Sequence, residues 1–297
     1  MKIYDLKEIS CEEAGVMAFG FFDCMHLGHR EVILKAAELA RSIGAPTSVF
    51  LFKNNIFPIL GIRKTPIFHF EERMLALERM GVVDRVYYVD ADKAFLSESP
   101  RDFLLFLKEK LSISGFTCGA DFSFGVRGSG APQDLINAIG GAYSVLDLYT
   151  VDGEKISSEE IKNALSVGNL EKANRYLGRE FSIVRKVLDG RKEGKRMGYP
   201  TINVALGAVP LKEGVYFTRV CFDGRKYAAV TNVGAHPTFG DRNANIETHL
   251  LDFCGDLYGK EVEIEFLKYR RPIVSFENVA ELVREIGRDV EARREYD

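Results

Sequence analysis

Short apolar runs alternate with longer segments of helical spacing along the first half of the chain. AGVMAF (14–19) reads as a short buried strand running into a turn at Gly20. From Gly28, apolar Val32, Ile33, Ala36, Ala37, Ala40 and Ile43 recur every three or four residues, and Gly44 follows as a helix-ending residue. TSVFLF (47–52) predicts a second strand. A helix through Glu72–Met80, stopped by Gly81, leads to a third strand, VDRVYYV (83–89). Pro100 opens a helical stretch with Phe103, Leu104 and Leu107 on one face. FTCG (116–119) and YSVLDL (143–148) are further strands flanking a helix near 132–139. This alternation predicts an α/β unit, a Rossmann-like parallel sheet with helices on both faces.

The rhythm changes after IKNALSVGNLEKANRYLG (161–178), which reads as one helix. Strand-like runs separated by turn residues follow: FSIVRKVL, GVYFTRVCF, KYAAVTNV, IETHLLDF and KEVEIEFL. Asp223-Gly224 suits a two-residue hairpin turn between the second and third of them. A helix over roughly 276–294 ends the pattern. This half predicts a small antiparallel β-barrel with a C-terminal helix. The boundary is placed at 178, giving domains 1–178 and 179–297.

Length agrees with two domains, since 297 residues is about twice the usual 150. Hydrophobic residues at 46% and charged residues at 28% suit two globular cores and exclude a wholly disordered chain. Net charge is −4 over 1–178 and +1 over 179–297, so neither half attracts nucleic acid or an anionic membrane. The five cysteines, Cys11, Cys24, Cys118, Cys221 and Cys254, are scattered and form no CxxC pair. With no apolar leader or 18-residue apolar run, a cytoplasmic protein is expected, with no membrane or nucleic-acid partner.

Candidate chemistry lies in four places. Gly20-Phe21-Phe22-Asp23-Cys24-Met25-His26-Leu27-Gly28-His29 falls between the first strand and first helix, where open α/β sheets bind ligands. Its two imidazoles suit a phosphate, although a polar turn starting a helix reads equally well. Ser157-x-x-Glu160 is a capping box that also presents free N–H groups to an anion. Gly190 through Asn203 alternates glycine with basic residues, as does either a phosphate loop or a solvated turn. Glu247 shares a strand face with His249 and Leu251, fitting a base for a hydroxyl or a charge at a strand edge.

Together these segments resemble bacterial bifunctional riboflavin kinase/FAD synthetases over essentially the whole chain. Residues 20–29 are similar to that family's G-x-F-D-G-x-H-x-G-H. Cys118 through Gly125, with Gly128, resembles its G-x-D-F-x-F-G loop, and Ile156 through Lys162 its I-S-S-T-x-I-R. Residues 190–203 resemble G-x-x-x-G-R-x-x-G-x-P-T-A-N, 232–239 N-I-G-x-x-P-T-F, and 247–253 E-x-H-[IL]-x-D-F.

The resemblance implies ATP-dependent phosphorylation of riboflavin to FMN by the second domain and adenylylation of FMN to FAD, with release of pyrophosphate, by the first. It implies catalytic roles for Glu247, His26 and His29. ATP and phosphate contacts fall to Gly20, Phe22, Asp23, Gly28, Asp121, Ser157, Ser158, Lys162, Gly190, Gly194, Lys195, Gly198, Pro200 and Thr201. Flavin contacts fall to Phe122, Phe124 and Asn232, and Mg²⁺ accompanying ATP to Thr201 and Asn203. FMN and FAD enter as substrate and product, in a monomer or weak homo-oligomer. The alternatives are a riboflavin kinase with an inactive first domain and a non-catalytic flavin- or nucleotide-binding protein. Departures concentrate in the first domain: Phe21, Cys24 for glycine, Glu159 for threonine, Lys162 for arginine, and 52–58 without the F-x-P-H-P pattern. In the second, Lys195 replaces arginine, Ile202 alanine and Ile273 glutamate.

Overall fold

Apolar side chains occupy both faces of the strands in the first half, so both faces need cover. The computed structural model describes residues 1–10, 12–189, 193–207, 209–236 and 241–296, with the side chains of 193, 195, 235, 236 and 241–245 outside the description. Two units result, Met1–Ser158 and Glu159–Asp297.

The first unit holds β1 (Lys2–Asp5), β2 (Glu12–Ala18), α1 (Leu27–Ile43), β3 (Thr47–Phe52), α2 (Phe70–Met80), β4 (Arg85–Val89), α3 (Lys93–Leu96), α4 (Pro100–Lys110), β5 (Leu111–Gly119), α5 (Pro132–Ile139) and β6 (Ala142–Leu146). The six strands pair in parallel in the order β1-β4-β3-β2-β5-β6. Val16, Ala18, Val49, Leu51 and Val86 face one way, onto Val32, Ile33, Ala36, Ala40 and Leu77 of α1 and α2. Met17, Phe19, Phe50, Tyr87 and Phe116 face the other way, onto Phe103, Leu107 and Leu135 of α4 and α5. The predicted two-sided parallel sheet is therefore present. Gly44 closes α1 in the left-handed region, and Ser99 caps α4 by accepting from Asp102 N–H.

Three differences have local causes. KIYD is too short to announce β1, which Tyr4 holds at the edge by stacking on Tyr87 at 5.1 Å. Ser112, Ser114 and Gly115 dilute the apolar signal of β5, which starts at Leu111 rather than 116. A small hairpin, β7 (Thr150–Val151) and β8 (Glu154–Lys155), turns at Asp152-Gly153.

The single helix expected over 161–178 is two: α6 (Ser158–Ser166) and α7 (Leu170–Leu177). Gly168 takes a φ of +78° and Asn169 caps α7 by accepting from Lys172 N–H at 3.0 Å, breaking the helix between them. From Glu159 onward these helices group with the second unit, whereas the sequence reading placed its start at 179. The reason is packing: α7 lies against two strands of that unit, burying Leu170, Ala173, Tyr176 and Leu177.

The rest of the second unit comprises β9 (Phe181–Lys186), α8 (Glu193–Arg196), β10 (Thr201–Ala205), β11 (Gly214–Phe222), β12 (Arg225–His236), β13 (Asp241–Leu250), β14 (Glu261–Arg271) and α9 (Val279–Arg294). The strand order is β10-β13-β12-β11-β14-β9, with every pair antiparallel. Leu188 N–H, just past β9, donates to Asn203 O of β10 at 2.8 Å, so the two edges of the sheet meet. Tyr216, Val220, Ile246, Leu250, Ile264 and Phe266 fill the interior, where Thr218, Thr231 and Thr248 join hydroxyls at 2.7 and 2.9 Å. Asp223-Gly224 makes the predicted hairpin turn. Strand β10 was unread, being an edge strand inside a loop-like segment. Strand β13 stops at Leu250, so Leu251 and Phe253 lie past its end, where Phe253 packs on Phe222 and Tyr227.

Candidate active sites

In the first unit, residues 20–29 bridge the carboxyl end of β2 and the start of α1. β2 pairs with β3 on one side and β5 on the other, so this loop opens at the topological switch point of the sheet. His26 caps α1, its Nδ1 accepting the His29 N–H at 3.2 Å. The His26 and His29 rings stack at 3.6 Å, and Phe22 meets His29 edge-on at 5.4 Å. Burial, aided by His26, holds the His29 imidazole well below its ordinary value, so the ring is neutral near pH 7. His29 Nδ1 is itself buried with no hydrogen-bond partner. Phe22 and Met25 carry positive φ of 49° and 52°, a tight loop that folds both histidines onto the helix start. A Cβ on Gly28 would sit 3.2 Å from His26 Cε1. Free helix N–H groups beside the stacked imidazoles suit an anionic phosphate that gains charge.

Several expected contact residues also hold the fold together. Asp23, 3% exposed, accepts from Ile67 N–H at 2.7 Å and Phe68 N–H at 3.2 Å, anchoring the segment before α2. Asp121 lies 3.9 Å from Lys155 in an exposed pair. Gly20 lies beneath the Phe22 ring, which is buried. Phe124 is buried in the core against Phe103 at 5.4 Å, whereas Phe122 is half-buried and stacks on Phe124 at 5.8 Å. Ser157 precedes α6 and Ser158 opens it, with Lys162 one turn further along. Ser158 Oγ lies 3.5 Å from Cys24 Sγ.

Sequence reasoning missed two features here. Phe21 packs on Phe57 at 4.9 Å and Phe52 at 6.4 Å, a half-buried aromatic group beside the loop. Arg73, 3% exposed, donates to Phe52 O at 2.6 Å. Only the aromatic count around 52–57 hinted at the first; nothing in ERMLALERM marks a buried arginine.

In the second unit, register builds the site. Asn203 of β10 lies opposite Glu247 of β13, and Glu247 opposite Asn232 of β12. Facing partners share a sheet face, so the three form one row across three strands. Thr201 and His249 form the parallel row two residues away. The face they occupy is the outer face of the barrel, opposite Ile246 and Thr248, and α9 roofs it. A cavity of about 140 Å³ lies between them, lined by Thr201, Asn232, Glu247 and His249 below and Leu282 and Ile286 of α9 above. Asp289 of α9, 2% exposed, receives Arg271 of β14 at 2.7 Å and fixes the roof. His249 donates Nδ1–H to Pro200 O at 2.8 Å, which orients the turn before β10. Gly194 presses against that turn; a Cβ there would fall 2.4 Å from Tyr199 O and 3.1 Å from Thr201 Oγ1. Gly198 takes a φ of +86° within it. Thr201 hydroxyl, Asn203 amide oxygen and Glu247 carboxylate are hard donors on one face, a set that fits Mg²⁺. Gly190 and the Lys195 side chain lie outside the described residues, as does Pro237–Phe239 of the 232–239 motif.

Among the described residues no helix is long and apolar enough to cross a membrane. Residues 8–160 match the family model described as FAD synthetase, and residues 177–296 the one described as riboflavin kinase. The bifunctional riboflavin kinase/FMN adenylyltransferase of Listeria monocytogenes is 33% identical over 292 residues, covering 95% of this chain and 92% of that protein. That of Bacillus subtilis is 34% identical, covering 92% and 90%. A crystal structure described as a macrolide-efflux protein from Streptococcus pneumoniae superposes with a TM-score of 0.86 at 28% identity, covering both chains fully. Both catalytic units of the relatives have their counterpart here, in the same order, and the chain belongs to the family of bifunctional riboflavin kinase/FMN adenylyltransferases.

Proposed function

We propose that the two units work in succession, the second making FMN from riboflavin and ATP and the first making FAD from FMN and a further ATP. In the second unit, Glu247 takes the proton of the riboflavin 5′-hydroxyl as that oxygen attacks the γ-phosphorus and ADP leaves. The turn from Gly194 to Thr201, with Gly190 and Lys195, holds the ATP phosphates, and Asn232 orients the flavin. Mg²⁺, bound with ATP, neutralises phosphate charge, and Thr201 and Asn203 would hold it. The row Asn203–Glu247–Asn232 carries this reading, because it sets a carboxylate between an amide on the phosphate side and one on the flavin side. Glu247→Gln is expected to leave ATP and riboflavin binding near wild type while lowering FMN formation by about 10²-fold or more. Unchanged turnover in that variant removes Glu247 from the mechanism.

In the first unit, an FMN phosphate oxygen attacks the α-phosphorus of ATP and the bond to pyrophosphate breaks. His26, His29 and the amides at the start of α1 stabilise the charge that develops, and Ser157, Ser158 and Lys162 hold the departing pyrophosphate. Phe122, Phe21 and Phe57 offer aromatic faces to the isoalloxazine. The described cysteines are all free thiols, in keeping with a cytoplasmic enzyme. We take its working form to be a monomer or a weak homo-oligomer.

A further inference from the structure

The family pattern has glycine where this chain has Cys24, and the structure gives that thiol unusual company. Cys24 is fully buried, yet its ligand atom and one each from His26 and His29 lie within 4.8 Å of one another. The donors are one sulfur and one nitrogen from each imidazole, and in the same ring pair His29 Nδ1 is buried without any hydrogen-bond partner. An unpartnered buried nitrogen costs free energy, and a cation would relieve that cost. In tetrahedral zinc sites, bond lengths of about 2.0–2.1 Å to nitrogen and 2.3 Å to sulfur put ligand atoms roughly 3.3–3.6 Å apart. Side-chain rotations that close the present spacing by about 1 Å therefore suffice. The rings stack 16° from parallel and must splay for their lone pairs to converge.

From this we infer that Cys24, His26 and His29 form a site for a thiophilic divalent cation of the zinc type, and that its occupancy shuts off adenylyl transfer while leaving the kinase running. Mg²⁺ prefers oxygen donors, so the working cation of both reactions does not compete well for sulfur and imidazole. Three protein ligands leave the fourth position to water or a phosphate oxygen, the arrangement of an exchangeable site rather than a structural one. Binding releases the thiol proton and breaks the contact with Ser158 Oγ. His26 also gives up its 3.2 Å cap bond to His29 N–H whichever ring nitrogen it uses, because a metallated Nδ1 has no lone pair to offer and a metallated Nε2 moves the ring proton onto Nδ1. Both imidazoles are thereby withdrawn from the phosphate; this consequence, unlike the metal site itself, rests on the role proposed above for His26 and His29.

The test titrates the full chain with Co²⁺ as a spectroscopic stand-in for Zn²⁺, then assays FMN and FAD formation separately at buffered free zinc and saturating Mg²⁺. The wild type should show a thiolate-to-cobalt charge-transfer band at one equivalent, and Cys24→Ser should lack it. Zinc should inhibit FAD formation in the wild type at concentrations at least tenfold lower than in Cys24→Ser, with FMN formation equally insensitive in both. A band that persists in Cys24→Ser, or no band in the wild type, overturns the site. A Cys24-dependent band with zinc-insensitive FAD formation keeps the site and overturns the placement of the histidines at the phosphate. Should Cys24→Ser fold poorly, Cys24→Gly and His29→Gln give the same cobalt readout.

Discussion

His29 is under two influences that favour its neutral ring: burial first, then the adjacent His26. The sign of the pH effect follows. An unfolded histidine titrates near the ordinary 6.5 while the folded ring titrates lower, so below 6.5 the unfolded chain binds more protons. Stability contributed by neutral His29 is complete above that pH and is lost as pH falls through the folded value. Calorimetry of the full chain should show the first-unit transition dropping more steeply below pH 6.5 in wild type than in His29→Gln; parallel curves would mean that His29 is not held neutral by the fold. Asp23 is a second case. Asp23→Ala removes the acceptor shared by two buried N–H groups, and at about 1–3 kcal/mol for a buried donor that loses its acceptor it should lower the denaturant midpoint of the first unit clearly. The motif singled out Asp23, but its partners lie more than 40 residues away on a segment without periodic signal, so their pairing was invisible in the sequence. Glu247, Asn203 and Asn232 were each found by motif. That they stand in one row is a matter of strand register, which spacing along the chain does not encode.

At the scale of elements, long periodic segments read well and short or edge ones did not. α1, α4 and β3 sit where their apolar spacing put them, because each buries a full face against the sheet. β1 and β10 are the outermost strands in their sheets' orders and only four and five residues long, so they lack the apolar run that marks a buried strand. The segment of α7 was read as the end of the first domain, yet four of its side chains are buried and it packs on strands of the barrel. Since a fully buried Leu-sized side chain contributes about 1.5–3 kcal/mol, a fragment starting at Glu159 should unfold at distinctly higher denaturant than one starting at Arg179. Both should make FMN under native conditions if the boundary expected at 178 is the functional one; equal midpoints would show that α7 contributes no stability. The roof helix gives a further test. Asp289→Ala takes the nearest carboxylate from Arg271, which keeps only Glu285 at 3.6 Å, and where removing one partner of a fully buried pair costs about 3–5 kcal/mol this partly exposed one should cost less. Riboflavin KM should rise in this variant before kcat falls, because the roof loosens while Glu247 stays in place.

For the whole molecule, the family assignment was legible because its motifs recur in order along both halves, and the two-layered pattern of hydrophobic residues supplied both folds independently. The row that carries Glu247 also decides which kinds of length change the second unit tolerates. Side chains alternate across a strand, so inserting one residue into β13 between Glu247 and Leu250 while the Leu250 end stays paired turns the carboxylate toward the barrel interior, where Tyr216 and Phe266 are buried. Inserting two restores the face but displaces the group along the strand by about 7 Å, beyond reach of the same amides. The turn after β13, from Gly255 to Gly259, carries no such constraint, since added residues there extend a connection between strands that are not neighbours. Insertion scanning should therefore give loss of FMN formation for either change inside the strand and near-normal turnover for the same peptides placed in that turn. Chain length within β13 is held fixed by chemistry, whereas beyond it only the closure of a surface loop is at stake.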